Sequence, residues 1–410
     1  MSATRVAGCA ITGLGVVAPT GIGVPEYWQA TTSGRSGIHP VTRFDASGYV
    51  GGLAGEVPGF TAADHIPARL LPQTDHVTRL SLVAASEALS SSGLHAESVA
   101  EFGIGISTAS TLGGFEFGQR ELEHLWGLGR EHVSAYQSFA WFYAVNTGQV
   151  SIRHGLRGPG STVVTDQAGG LDALGAARRQ VRGGTPVVVA GAVDGGLCPL
   201  GWAGFQSAGR LSRDADPASA YTPFAASADG HVPGEGGAYL IVEDSEHAAA
   251  RGAHVLGTIT GYAATFDPDP EDPVADGLSR AAVLALDDAG VDTTDIDVVF
   301  PDAAGHAPAD RAEAAAIIGL FGPGGVPISI PKTGTGRLLA GAGTLDAASA
   351  LLAIESSVIP PAATHLPPHE GLDLVTEPRA TRVRHALVLA RGSGGFNAAL
   401  VVSAPDAHSD

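Results

Sequence analysis

The turn at residues 165–170 contains the residue types best placed to do chemistry in this sequence. It joins an apolar, β-rich run at 162–165 to a segment at 171–181 with helical patterning. A side chain at such a turn lies at a helix N-terminus, where free N–H groups and the helix dipole favour negative charge. A cysteine there would be activated as a thiolate, but Gln167 is a neutral amide and cannot act as a nucleophile. The alternative is a glutamine that only fills the turn with hydrogen bonds.

The two cysteines do not supply the missing nucleophile. Cys9 lies in an apolar run near the N-terminus and Cys198 in a loop rich in Gly and Pro, so both are interpreted as packing residues. Residues 13–18 match a loose dinucleotide-binding fingerprint, but Pro19 follows where a nucleotide-binding helix would have to run. We interpret these residues as a glycine-rich strand end, and the sequence predicts neither a cofactor nor a metal.

The elements that must position the turn repeat along the chain. Three pairs of segments recur in the same order: 79–107 with 278–300, 162–173 with 327–347, and 186–242 with 386–402. Because strands alternate with helices in these segments, they indicate an α/β protein with many parallel strands. The repeat predicts two similar halves, which we place at residues 1–254 and 255–410.

Composition excludes several classes of protein. The 410 residues are 44% hydrophobic, which supports a large packed interior and excludes a disordered chain. No run of apolar residues reaches the ~18 needed for a membrane helix, and the N-terminal segment does not resemble a signal peptide. The net charge of -19 argues against a nucleic-acid or anionic-membrane surface. With no disulfide framework, the sequence predicts a cytoplasmic protein.

Residues 163–175, Val-Val-Thr-Asp-Gln-Ala-Gly-Gly-Leu-Asp-Ala-Leu-Gly, resemble the active-site segment of β-ketoacyl synthases. They are most similar to the chain-length factor, the ketosynthase-β subunit of bacterial type II aromatic polyketide synthases. Matching segments at 11–19, 138–148, 232–238 and 394–397 extend the resemblance over nearly the whole chain. The resemblance implies a thiolase-type fold, with five αβαβα layers built from two similar halves.

The sequence departs from an active ketosynthase at all three positions of the catalytic Cys-His-His set. Gln167 stands where condensing relatives have the cysteine. Their Asn-Ala-His-Gly segment corresponds to residues 302–305, in which Ala304 replaces the histidine, and we interpret the nearby His306 as a loop residue. In the Lys-x-x-x-Gly-His segment Lys332 is retained, but Arg337 replaces the histidine. Because arginine is always protonated, it cannot serve as an ordinary acid or base.

The resemblance therefore implies a subunit that does not condense by itself. It implies a tight heterodimer with a ketosynthase-α subunit, which would own the catalytic site. That partner would extend a chain held on the phosphopantetheine of a separate acyl carrier protein, by decarboxylative condensation of malonyl units. The present chain would shape the tunnel in which the poly-β-keto intermediate grows, since close-packed walls stop a growing chain once the cavity is full.

Residues 111–122, called here the wall segment, are the predicted tunnel wall. Phe115, Gly118 and Leu122 are spaced i, i+3 and i+7 and so share one helical face. Phe139 is expected to line or support the same wall. In the family, bulkier residues on this helix shorten the product, so the small Gly118 predicts a roomy tunnel and a product longer than an octaketide. The alternative is that these side chains only pack in the core.

A second function remains open from the sequence. Glutamine also replaces the cysteine in loading ketosynthase-like domains that decarboxylate malonyl groups to make an acetyl primer. A side-chain amide in an oxyanion-like pocket could stabilise the enolate formed in that step. Those relatives keep both histidines, however, so Ala304 and Arg337 weigh against a malonyl-carrier-protein decarboxylase.

The charge balance also bears on where a carrier protein docks. Carrier proteins are usually acidic, and a subunit with a net charge of -19 offers them a poor surface. We therefore expect the carrier protein to bind chiefly to the partner. Local help from Arg178, Arg179 and Arg182 is one option, and the favoured interpretation of these three is a solvated helix face.

Overall fold

The computed structural model describes residues 8–269, 276–367 and 369–405. Within these ranges the α-helices are α1 (Val24–Thr32), α2 (Ala62–His65), α3 (His76–Ser91), α4 (Phe115–Gly127), α5 (Gln137–Ala140), α6 (Val145–His154), α7 (Gly169–Arg182), α8 (Pro199–Ser207), α9 (Ser245–Ala250), α10 (Gly277–Ala289), α11 (Ala307–Phe321) and α12 (Ala340–Ser356). The strands are β1 (Cys9–Ala18), β2 (Gly21–Ile22), β3 (Ile38–Pro40), β4 (Leu53–Gly55), β5 (Ile104–Ala109), β6 (Gly160–Val163), β7 (Val187–Asp194), β8 (Gly236–Asp244), β9 (Gly257–Phe266), β10 (Val298–Phe300), β11 (Pro327–Ile328), β12 (Val358–Ile359), β13 (Asp373–Leu374), β14 (Arg379–Ala380), β15 (His385–Gly392) and β16 (Phe396–Ser403).

The main sheet has two mirrored halves. Its strand order is β13-β11-β10-β15-β16-β9-β1-β8-β7-β5-β6, with β2 paired to β1. Outward from the centre, each half begins with the same pairings, two antiparallel and then two parallel, and the second half adds a third parallel pairing between β11 and β13. The halves meet where β1 and β9 pair antiparallel, with Ala10 opposite Thr258 and Ile11 opposite Gly257. The predicted architecture of two similar halves is confirmed.

The helices form three layers around the two sheet halves. On the outside, α3 packs on β1, β8 and β7, and α10 packs on β9 and β16. Between the halves, α7 packs on β7 and β5, α12 packs on β8 and β15, and the two helices contact each other. The five-layer αβαβα order predicted from the resemblance is therefore present. No helix in the described ranges has the length and apolarity needed to span a bilayer.

The two central helices approach closely because glycines lie at their contact. A Cβ on Gly170 of α7 would lie 2.5 Å from the Ala340 carbonyl oxygen and 2.8 Å from the Thr344 nitrogen of α12. Residues 340–354 of α12 are buried on every side, as expected of a helix enclosed between two sheets. This contact places the segment before α7, which contains Gln167, against the segment before α12, which contains Arg337 and Leu339.

Glycines also explain the N-terminal run that resembles a dinucleotide fingerprint. A Cβ on Gly13 would lie 2.3 Å from the Ala88 carbonyl oxygen, and one on Gly15 would lie 2.0 Å from the Ala84 carbonyl oxygen. Strand β1 therefore approaches α3 at distances that only glycine permits. Helix α3 begins at His76, three residues before the repeat segment at 79–107, because the Asp75 carboxylate caps it by accepting the Val77 N–H at 2.9 Å.

Candidate functional site

Gln167 lies at the turn that the sequence singles out. Strand β6 ends at Val163, and Gln167 is buried in a short 3-10 turn, Asp166–Ala168, that leads directly into α7. The turn is conformationally demanding, since Asp166 has a φ of 52°, in the left-handed region. The Asp166 carboxylate accepts the Ser393 N–H at 2.8 Å, which ties the turn to the loop between β15 and β16.

The amide of Gln167 is bound by Arg337. In the orientation that satisfies both ends of the amide, its oxygen accepts from Nε and Nη2 of Arg337, and its nitrogen donates to the Leu339 carbonyl oxygen at 3.1 Å. Both acceptor sites of the amide oxygen are therefore occupied from within the chain. Leu339 itself has a φ of 52°, so the backbone on both sides of the amide contact is in a rarely populated conformation.

Arg337 makes a second set of contacts with the loop after β10. Its Nη2 lies 3.1 Å from both carboxylate oxygens of Asp302, and its Nη1 donates to the carbonyl oxygens of Asp302 at 3.0 Å and Ala303 at 3.2 Å. Together with Gln167, these partners occupy all five N–H donors of the guanidinium. Burial opposes ionisation of Asp302, yet Arg337 and Lys332 together lower its pKa below the ordinary value. The pair is therefore a buried ion pair with its hydrogen bonds made.

Lys332 is buried beside this pair and serves as a structural link. Its Nζ donates to the Pro301 carbonyl oxygen at 2.5 Å and to that of Asp302 at 3.1 Å. It also lies 2.6 Å from Oδ2 of Asp346 on α12. The ammonium thus joins the loop after β10 to the central helix. Burial raises the pKa of Asp346 to about 6, although Lys332 opposes the rise.

Ala304 lies in the same loop, which is held in place by its backbone. Glu313 of α11 accepts the N–H groups of Asp302 at 2.7 Å and Ala303 at 2.8 Å, and the Tyr221 hydroxyl donates to the Ala303 carbonyl oxygen at 2.6 Å. The Ala304 methyl group offers no proton-transfer chemistry at this position. His306, two residues later, is the N-cap residue of α11.

The two cysteines are free and buried. Burial raises the pKa of the Cys9 thiol in β1, and it raises the pKa of the Cys198 thiol before α8 to about 11. Neither thiol is therefore activated as a nucleophile. Among the described residues, no group of three or more His, Cys, Asp and Glu is arranged to hold a metal ion.

The wall segment forms the loop after β5 and the start of α4. The side chains that α4 buries in the chain are Phe117 and Glu121, while Leu122 is 42% exposed. Phe115 and Gly118 are partly exposed and, like Leu122, are not on the buried face. The alternative that Leu122 only packs in the core of this chain is therefore wrong.

The wall and the glutamine turn lie at one edge of the sheet. Strands β5 and β6 are parallel neighbours, with Ala109 opposite Val163, so the loops that follow them leave the sheet side by side. Gly118 faces the segment after α5, since a Cβ built on it would lie 3.6 Å from the Cβ of Trp141. The ring of Phe139 in α5 is 5.9 Å from that of Tyr136.

The three arginines of α7 are not simply a solvated face, and that interpretation is wrong for Arg178. Arg178 is buried, and it contacts Asp288 at 2.5 Å and the Thr260 carbonyl oxygen at 2.6 Å. Arg182 lies 3.7 Å from Asp288, and Arg179 lies over the ring of Tyr262 at 5.7 Å. The sequence pattern missed these contacts because their partners come from β9 and α10, about eighty or more residues away along the chain.

Two sheet halves that enclose α7 and α12, with Gln167 in the turn that leads into α7, form the arrangement of the thiolase-type fold. The family models for the beta-ketoacyl synthase N-terminal and C-terminal domains match residues 7–248 and 256–365. The chain therefore belongs to the beta-ketoacyl synthase family. It is 54% identical over 397 residues to the tetracenomycin polyketide synthase ketoacyl synthase beta subunit of Streptomyces glaucescens, covering 96% of this chain and 97% of that relative.

Solved structures agree with this assignment. The ishigamide ketosynthase/chain length factor superposes with a TM-score of 0.89 at 28% identity, covering 98% of this chain and all of that one (100%). A type II polyketide synthase acyl carrier protein in complex with its ketosynthase bound to a hexaketide provides a second match, with a TM-score of 0.87 at 27% identity over 98% of this chain and 100% of that one. The thiolase-type fold predicted from the resemblance is confirmed.

The sequence carries a signal for the ion pair at two positions where it departs from condensing relatives. Against the Asn-Ala-His-Gly pattern of condensing relatives, Asp302 adds a negative charge, and Arg337 adds a positive charge in place of the second histidine. A complementary pair of changes of this kind indicates that the two residues are in contact. The roles of Glu313 and Asp346 had no such signal, because an isolated carboxylate on a helix is usually solvent-exposed.

Proposed function

We propose that this chain is the chain-length-determining, non-condensing subunit of a type II minimal polyketide synthase. The observation that carries the proposal is the contact between Gln167 and Arg337. The nucleophile position contains an amide, and the side chain at the second histidine position is a guanidinium whose donors are all occupied. Neither group can form an acyl-enzyme or transfer a proton, so condensation has to take place in a partner.

The proposed partner is an active ketosynthase-α subunit. The relative from Streptomyces glaucescens is named as a beta subunit, and one structural neighbour is named as a ketosynthase/chain length factor. This chain has a surface with many large, exposed apolar side chains, called here the aromatic face. Its members are Leu122, Trp126, Leu128, Tyr136, Phe139, Trp141, Phe142 and Tyr143. An exposed apolar patch of this kind is typical of a protein interface.

The wall segment supports the chain-length role. Phe115, Gly118 and Leu122 are not in the interior of this chain, so a tunnel formed with the partner has access to them. Gly118 leaves space on α4, where the nearest side-chain atom to an added Cβ is at 3.6 Å. We propose that Phe115, Gly118, Leu122 and Phe139 line the tunnel and that the product is longer than an octaketide.

We propose that malonyl units and intermediates arrive on the phosphopantetheine of a separate acyl carrier protein, which docks mainly on the partner. One structural neighbour is a carrier protein in complex with its ketosynthase. On this chain the net charge is -19, and Arg178 and Arg182 are already paired with Asp288. An acidic carrier protein would therefore find few free cations on this helix.

The proposal is tested by changing the wall at Gly118. The chain is reconstituted with a ketosynthase-α subunit, an acyl carrier protein and malonyl substrate, and the products are weighed by mass spectrometry. Gly118→Trp is expected to shorten the product by at least one malonyl-derived unit, because the indole fills the end of the cavity. A Cβ at 3.6 Å from its neighbour is accommodated without a clash, so the variant is expected to fold.

Gly319→Trp is the matched control. Gly319 lies on the exposed side of α11, and nothing lies within 4 Å of a Cβ built there. This variant carries the same added indole and is expected to give the native product. An unchanged product length in Gly118→Trp would rule out the assignment of the wall.

A further inference from the structure

The backbone of the wall segment is held at its start by a buried carboxylate. Asp194, the last residue of β7, accepts the Thr111 N–H at 2.5 Å with Oδ2 and the Gly195 N–H at 3.0 Å with Oδ1. Oδ1 thus binds the residue that follows Asp194, and Oδ2 binds the wall segment. Asp194 is fully buried, and burial raises the pKa of its carboxyl to about 7.

A second carboxylate makes the same arrangement further along the wall segment, at Phe117. Asp75 accepts the Val77 N–H at 2.9 Å with Oδ1, which caps α3, and the Phe117 N–H at 2.7 Å with Oδ2. Phe117 is in the first turn of α4, where a free N–H needs a partner. Gly114, the N-cap residue of α4, has no side chain that could cap the helix, so Asp75 supplies the missing acceptor from another element.

Side-chain contacts of Glu116 also fix the first turn of α4. Arg43 donates to Glu116 of α4 and, at 2.5 Å, to the buried Glu235. Glu235 also lies 3.1 Å from Nε2 of His76 and accepts the Val57 N–H at 3.1 Å. The network joins the first turn of α4 to the N-terminus of α3 and to the segment that leads into β8.

These contacts all reach the wall segment through its backbone or through Glu116. They leave the side chains of Phe115 and Leu122 and the open position at Gly118 unengaged by the carboxylates. A helix held in this way has a fixed position relative to the sheet while its other face remains available for a tunnel. A shift of the backbone would move all three residues together and change the length of the cavity.

We propose that Asp75 and Asp194 are positioning residues that set product length by fixing the backbone of the wall segment. The inference rests on the proposed function, because it assumes that this segment is the tunnel wall. Two carboxylates that do not line the tunnel would then help to determine the length of the product. Loss of either contact frees the N–H of Phe117 or Thr111 and lets the segment adopt more than one position.

Asp75→Ser separates this role from helix capping. Serine is a good N-cap residue, so the bond to Val77 and the start of α3 are expected to survive. The shorter hydroxyl cannot also serve the Phe117 N–H in the way the second carboxylate oxygen does. Asp194→Asn is the independent variant, because an amide has only one oxygen and cannot accept from both Thr111 and Gly195 at their present positions.

Asp244→Ser is the control for the loss of a capping carboxylate. Asp244 is the N-cap residue of α9, and its Oδ1 accepts the N–H groups of Glu246 and His247, each at 3.0 Å. It has the same chemical role as Asp75 at the start of a helix. Helix α9 packs on β1 and β8, away from the wall segment.

The experiment weighs the products of the reconstituted heterodimer for all three variants and for Gly118→Trp. Asp75→Ser and Asp194→Asn are expected to raise the share of products with a non-native length at least threefold, while Asp244→Ser keeps the native distribution. Heterodimer yield from gel filtration and the unfolding midpoint of each variant are measured alongside. A change in length at unchanged heterodimer yield is a result that loss of stability alone does not give.

The two proposals fail in different ways. A native distribution in Asp75→Ser, with a shorter product in Gly118→Trp, would overturn the positioning role and leave the proposed function standing. Native distributions in both variants would overturn the wall assignment and the positioning role together. If Asp194→Asn does not fold, Asp75→Ser decides the question, because its helix cap is retained.

Discussion

At the scale of single residues, Arg337 and Asp302 depend on each other. A buried guanidinium or carboxylate alone would lose its hydration without compensation, whereas the pair retains its charges through mutual attraction and full hydrogen bonding. Condensing relatives are expected to have an asparagine and a catalytic histidine at these two positions. In this chain the same space contains a fixed ion pair that also binds the amide of Gln167.

Replacing Arg337 by methionine is expected to lower the free energy of unfolding by about 3 to 5 kcal/mol, because Asp302 is left as a buried charge without its main partner. Urea unfolding of the purified protein measures the change. The double variant Arg337→Met with Asp302→Asn is expected to recover at least half of the loss. Arg157→Met is the control: both Arg157 and its partner Glu101 are about 60% exposed, and the loss is expected to stay below ~1 kcal/mol. Equal losses of unfolding free energy in Arg337→Met and Arg157→Met would contradict this account.

The same contacts predict how Gln167 behaves in a decarboxylation assay. Its amide oxygen is occupied by Arg337 and one of its N–H groups by Leu339, so the group is poorly placed to stabilise an enolate. The purified chain alone is expected to release acetyl groups from malonyl carrier protein at the background rate, and Gln167→Ala is expected to change this rate by less than twofold. Release well above background that disappears in Gln167→Ala would instead support the decarboxylase.

At the scale of elements, the position of Gln167 depends on how closely α7 and α12 pack. Gly170 lies one turn after Gln167, and its missing side chain lets the backbone of α12 approach. Gly170→Ala is expected to lower the free energy of unfolding by about 2 to 3 kcal/mol, since a Cβ would meet backbone atoms that cannot move independently. Thermal or urea unfolding measures this loss.

Gly319→Ala is the control for adding the same methyl group to a helix. With open space around a Cβ, this variant is expected to gain roughly 0.5 to 1 kcal/mol from the higher helix propensity of alanine. Opposite signs for the two variants would identify the contact between the central helices as the cause. A neutral Gly170→Ala would mean that the helices can move apart at low cost.

The sequence predicted the elements better than the contacts between them. The repeat of strand and helix segments was sufficient to predict two similar halves, because hydrophobic periodicity is a local signal that each half carries. The N-terminal boundary of α3 was missed by three residues, since its cap Asp75 is an acidic residue that the apolar pattern does not include. The environment of Arg178 on α7 was misjudged because arginine usually remains in water, and its partners come from distant segments.

At the scale of the whole molecule, the candidate site lies between the two halves. Gln167 comes from the turn before α7 in the first half, whereas Asp302, Lys332 and Arg337 come from the second. The ion pair and the Lys332 contacts are made within the second half. The amide of Gln167 and the bond between Asp166 and the Ser393 N–H connect the two halves. Each half therefore contributes one side of the contact between Gln167 and Arg337.

The aromatic face leads to the last prediction, which concerns assembly. Trp126 is 83% exposed in the last turn of α4, so its indole makes little contact within this chain. If a ketosynthase-α subunit covers this face, Trp126→Asp is expected to weaken the heterodimer at least tenfold, because a carboxylate replaces a large apolar contact in a desolvated position. The dissociation constant is measured by titrating one labelled subunit with the other.

Leu284→Asp is the matched control, because Leu284 is 50% exposed on α10, a helix in the outer layer of the other half. It is expected to leave the dissociation constant within about twofold of the native value, since an exposed charge at this site costs little. Equal affinities for Trp126→Asp and the native chain would show that the partner does not cover the end of α4. Equal weakening by both variants would mean that the loss arises from general destabilisation and not from a contact of Trp126 with the partner.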